Sequence, residues 1–262
     1  MRMKRKGMIY WLTPVFVEMI GQLIVQGIIE FWYMNKYPGH DISTIGMYAA
    51  EITVFTALLL IPVMVLLYRR DCRDEEYQNK NRRPSKLNMV LLAVPAAAAL
   101  CVLTNMIIMI SGLPRLSGSY METAEALYRP GFAFGLVGIG IIVPIMEEMV
   151  FRVLVYKRMR RTMEMKKAII MSALVFGIMH GNIVQFVFAF AIGIMLAYLH
   201  EISDNPLVPM AGHVAVNVTS LVFTEYHIFE WVFADLIRYM GILVLSALCV
   251  MFSMKWMITK NK

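Results

Sequence analysis

The sequence predicts an all-α protein, a polytopic membrane bundle of about eight transmembrane helices forming one integral membrane domain over residues 1–262. Three observations carry this. Of the 262 residues, 59% are hydrophobic and only 16% charged, against about 45–50% and 25% in an ordinary soluble domain. Several apolar runs reach the ~20 residues that hydrocarbon requires. The net charge of +7 falls in short segments between those runs, the positive-inside pattern of membrane loops. That distribution leaves no nucleic-acid site.

The first span is expected from about Met8 to Met34, after the basic start MRMKRKG. No small-residue cleavage site follows its apolar core, so it reads as a retained span rather than a signal peptide. Glu18, Gln22, Gln26 and Glu30 recur every four residues along it and form one polar stripe. The stripe either packs inward against other polar groups or lines a cavity. A second span is expected over Ile42 to Tyr68 with a lone Glu51, then a charged loop through residue 86. The third covers Leu87 to Ile110, and residues 111–129, with their Gly, Ser and Pro, read as a loop. The fourth runs from Pro130 to Tyr156, with Pro144 set to kink it.

A basic loop, KRMRRTMEMKK, comes next. Ala168 to His180 and Ile183 to His200 form two shorter apolar segments broken at Gly181-Asn182, the first short for a full crossing. A seventh span is expected over Leu207 to Phe223, opened by Pro206. An eighth covers Trp231 to Ile258, in which Asp235 and Arg238 can neutralise each other. An even number of spans puts all four basic segments, and both termini, on the cytoplasmic side of a cell membrane. Cys72, Cys101 and Cys249 have no paired spacing, so neither a disulfide framework nor a cysteine metal site is expected. The 24 methionines fill apolar runs. His40, His200 and His227 fall at edges or loops and read as surface residues.

The functional signal sits in the fourth span, in IIVPIMEEMVFR over residues 141–152. Charge at membrane depth is costly and is therefore usually paired and functional. Glu148 and Arg152 are four apart and can form an ion pair. Glu147 sits about 100° round the helix and has no partner there. Counted from the basic ends of their helices for Glu147 and His180, and from the turn at Pro206 for His213 and Asn217, the four fall roughly 10–18 Å in, at similar depth. His213 and Asn217 share a face, as do Phe176 and His180. A carboxylate in an apolar pocket suits proton abstraction from water, and imidazoles with an amide suit an oxyanion. Glu147, His180 and His213 could instead hold zinc with a position open for water.

These residues also resemble a family. EEMVFR (Glu147 to Arg152), FGIMH (Phe176 to His180) and HVAVN (His213 to Asn217) resemble the three motifs of the type II CAAX prenyl proteases, also called CPBP or Abi membrane proteases. The likeness covers about 131–220, and the first three spans carry no motif of it. It implies an eight-helix endopeptidase with a site open towards the cytoplasm, acting on a membrane-associated or peptide substrate. On that resemblance Glu147 and His180 activate water, and His213 and Asn217 form the oxyanion site. Glu148, Arg152 and Phe176 support them. The family has been described both as metalloproteases and as metal-independent glutamate proteases, so zinc is an open cofactor. Bacterial relatives are linked to bacteriocin self-immunity, peptide-signal processing or sensor regulation, and the size of this chain resembles theirs. Two other classes compete. A non-catalytic immunity or regulatory partner would need no such constellation, and a transporter would show inverted repeats that the sequence lacks.

Overall fold

The computed structural model describes residues 7–38, 42–73 and 87–260. Among them the chain forms helices and no strand: α1 (Met8–Lys36), α2 (Ala49–Arg73), α3 (Leu87–Ser111), α4 (Gly118–Tyr128), α5 (Phe132–Arg160), α6 (Met165–Ile178), α7 (Ile183–Ser203), α8 (Leu207–Glu225), α9 (Ile228–Phe233) and α10 (Leu236–Lys260). Seven of these are long and apolar enough to cross a membrane. The exceptions are α4, α6 and α9. Large apolar side chains cover the outer faces of the long helices, such as Ile9, Leu23 and Phe31 on α1. That is the surface a lipid-facing bundle requires, since no water lies there to penalise it.

The hairpin of α6 and α7 resolves the count of about eight. With 14 residues, α6 rises only ~21 Å at 1.5 Å per residue, short of the ~30 Å hydrocarbon core. Its partner α7 has 21 residues. Arg160 reaches Glu201 at 2.9 Å and Lys157 reaches Asp204 at 3.3 Å, so α7 ends beside the basic turn from which α6 starts. The hairpin therefore enters and leaves the bundle at one end, with His180 at its inner tip. Gly181, at φ +77°, makes the reversal, and the Asn182 side chain accepts from the Gln185 amide to start α7. The two arms pack closely. A Cβ on Gly193 would lie 3.2 Å from the Ala173 Cα.

Four expectations need correction. Residues 118–128 are a helix and not a loop. The run ETAEAL is made of helix formers, and the Gly and Pro that suggested a loop all precede residue 119. The last span is broken after Phe233, because the Asp235 carboxylate accepts the Arg238 amide and caps α10. Its pairing with the Arg238 side chain is loose, at 3.8 Å. Glu51 is not alone, since the Arg129 guanidinium pairs with it. His200 is buried, its ring edge-on to Tyr156 at 6.0 Å. His227 is exposed as expected, and His40 lies outside the described residues.

Within α5 the hydrogen bonding widens to the π pattern over Gly135–Ile142 and again over Met149–Tyr156, on either side of the α-helical Val143–Glu148. Wide turns of this kind often occur at functional sites. Gly138 lies against α2, where an added Cβ would sit 2.5 Å from Val54 Cγ2. Val54 is β-branched and has little rotamer freedom to retreat. Gly138→Ala is expected to cost about 1–3 kcal/mol, read as a lower apparent melting temperature in detergent, while Gly27→Ala, with open space around it, should leave that temperature unchanged.

Candidate active site

The double glutamate sits where α5 passes through the middle of the bundle. Adjacent helical positions diverge by about 100°, and the two carboxylates meet different surroundings. The Glu148 side chain is 0% exposed, whereas Glu147 is 16% exposed and lines a cavity of about 400 Å³. His180, His213 and Asn217 line the same cavity. The structure thus gathers the four predicted groups from α5, α8 and the tip of the α6–α7 hairpin.

Each group is held by a specific contact. Glu148 lies 3.2 Å from Arg152 Nε, as the i, i+4 spacing predicts. It also accepts a hydrogen bond from His213 Nδ1 at 2.9 Å. With its proton on Nδ1, His213 turns Nε2 towards Glu147, 3.5 Å from Oε2. His180 donates from Nδ1 to the Phe176 carbonyl one turn back, at 2.8 Å, and its Nε2 is left as the free nitrogen. Asn217 donates from Nδ2 to the Ile139 carbonyl at 2.9 Å. That carbonyl is available because Val143 N–H bonds to Gly138 in the π register and Pro144 has no N–H to offer. The widened turn of α5 therefore anchors a side chain on α8. An amide nitrogen carries two hydrogens, so Asn217 keeps a second donor for the cavity.

Phe176 is the common wall. Its ring meets His180 at 4.8 Å and His213 at 5.5 Å, both edge-on, and the Arg152 guanidinium carbon lies 4.4 Å from its centroid. Arg152 is fully buried, and none of its nitrogens has an aligned hydrogen bond among the described residues. Its charge is met by Glu148 and the face of this ring.

The cavity runs away from the basic ends of the helices. Its far wall is α4, with Tyr120, Thr123, Leu127 and Tyr128, joined by the first turns of α2 and α7. Towards the basic ends, Phe151, Leu154, Val155 and Tyr156 fill the space. The depth count placed the groups correctly, but it could not say on which side of them the bundle is filled. Glu18 and Gln22 of the α1 stripe also line the cavity, whereas Gln26 donates to Glu30 outside it. The α4 side chains were missed, because a segment read as a loop offers no facing pattern.

The zinc expectation does not fit this arrangement. Among the described residues no three His, Cys, Asp or Glu side chains gather closely enough to hold a metal ion. The Nδ1 of each histidine is committed to Glu148 or to the Phe176 carbonyl, which leaves Nε2 of each towards the cavity.

Residues 129–219 match the family model described as type II CAAX prenyl endopeptidase Rce1-like. The matched segment contains all three motifs and bears out the resemblance read from them. The family that this model describes is one of membrane endopeptidases, and with seven membrane-length helices among the described residues the chain is a multi-pass membrane protein. No curated protein and no solved structure matches the chain.

Proposed function

We propose that the protein is an intramembrane endopeptidase that hydrolyses a peptide bond with a water activated by Glu147 and His180. The observation that carries this is the convergence of Glu147, His180, His213 and Asn217 on one cavity, inside the segment that matches a family of membrane endopeptidases. Glu147 takes a proton from the water, which His180 orients through Nε2. The water oxygen bonds to the carbonyl carbon of the substrate. The carbonyl electron pair moves to oxygen, which accepts from the second N–H of Asn217, with His213 forming the other side of the oxyanion site. Glu148, buried against Nδ1, orients the His213 ring, as a buried carboxylate orients an imidazole in other hydrolases. Collapse breaks the C–N bond, and Glu147 returns its proton to the leaving amine. Fixed donors in a water-poor site are worth far more to the developing charge than the same groups in water.

The substrate is a membrane-associated protein or a peptide presented within the bilayer lipid. Read by the positive-inside rule, both termini lie in the cytoplasm, and the cavity then faces the opposite side of the membrane. A role in peptide-signal processing or in self-protection against a bacteriocin suits that placement. The test is hydrolysis of a peptide library by the purified protein, before and after exhaustive chelation. Cleavage is expected to persist at an unchanged rate without metal. Loss on chelation and recovery with zinc would replace the Glu147–His180 step by metal-assisted attack. A well-folded protein that cleaves nothing would instead favour a non-catalytic immunity or regulatory partner.

A further inference from the structure

Two carboxylates line the cavity among the described residues, and the proposed hydrolysis uses only Glu147. The other is Glu18 on α1. It is 9% exposed, and its Oε2 has no hydrogen-bond partner. Among the described residues no Lys or Arg lines the cavity, and the buried guanidinium of Arg152 is already engaged by Glu148 and Phe176. A carboxylate taken out of water without a partner is strongly disfavoured, and a cation that reaches it regains that cost. Gln22, one turn further along α1, lines the same cavity and is itself exposed. Its side-chain carbonyl can accept one more hydrogen from an ammonium or guanidinium seated on Glu18.

We propose that Glu18 and Gln22 form a subsite for a Lys or Arg side chain of the substrate, so that the protein selects basic peptides. The inference rests on the endopeptidase reading above and names its substrate class. A long apolar side chain such as Met has nearly the same reach but leaves the buried carboxylate unmatched. Sites built around a buried polar group reject such analogues more strongly than apolar pockets reject a change of size.

The experiment uses fluorogenic peptides that differ only in Lys or Met at one position, walked through the positions on either side of the cleaved bond. At one position the wild-type protein is expected to favour Lys over Met about hundredfold in kcat/KM. In Glu18→Gln the ratio should fall to within about threefold, and Gln22→Leu should lower it about tenfold. A Glu18→Lys protein should favour a Glu peptide over the Lys peptide. A ratio that is near one in the wild type, or the same in wild type and Glu18→Gln, overturns the proposal. Binding of the same peptides to Glu147→Gln protein, by fluorescence anisotropy, separates the two readings. Should no peptide be cleaved, tighter binding of the Lys peptide that disappears with Glu18→Gln supports the subsite while hydrolysis fails. Equal binding of Lys and Met peptides removes the subsite.

Discussion

Glu147→Gln is expected to abolish peptide cleavage, with kcat lower by ~1,000-fold or more, while yield, detergent gel-filtration profile and melting temperature stay near those of the wild type. Gln keeps the size and the hydrogen-bonding reach of Glu but cannot take a proton from water. The side chain faces the cavity, and among the described residues its close side-chain contact is His213 Nε2 at 3.5 Å, so little of the packing depends on its charge. Residual hydrolysis above about a tenth of the wild-type rate would remove Glu147 from the base role, because general-base catalysis typically contributes 10²–10⁴-fold. Loss of folding equal to that of a Glu148 variant would remove the division of labour between the two glutamates.

Glu148→Gln should behave in the opposite way and act first on stability. Its carboxylate is the partner of Arg152 at 3.2 Å and the acceptor for His213 Nδ1 at 2.9 Å, with every atom out of reach of solvent. Removing one charge of a buried pair leaves the other uncompensated, at roughly 3–5 kcal/mol. For a chain of this size that corresponds to a fall of roughly 10 °C in apparent melting temperature. The decisive companion is Glu148→Gln combined with Arg152→Met, which takes away both charges and keeps the volume of the long side chain. The double variant is expected to melt well above Glu148→Gln alone. If it melts no higher, Arg152 is held by Phe176 and its packing rather than by Glu148.

Much of this arrangement could be read from residues alone, and the reasons are physical. Helical periodicity made Glu148 and Arg152 neighbours and turned Glu147 away from them. A rise of 1.5 Å per residue placed four polar groups at one depth. Facing across helices is another matter. Nothing in the spacing of α5 and α8 says that His213 meets Glu148, or that the Ile139 carbonyl is free for Asn217. The second contact depends on a π turn that composition does not encode. Gly and Pro near 112–118 drew attention away from the helix formers that follow them, and that segment proved to be the far wall of the cavity. His200 was read as surface because it ends an apolar run, yet it is buried against Tyr156. An apolar run ends wherever the chain turns, including inside the protein.

The single ring of Phe176 touches both cavity histidines and the buried arginine. One consequence concerns how variants of this region combine. Effects at His180, His213 and Arg152 share a mediator, so they should not add as independent contributions do. A substitution of Phe176 would disturb all three at once and would be difficult to compensate from any one of them. The route to a working variant with a smaller side chain there passes through simultaneous changes on α5, α6 and α8.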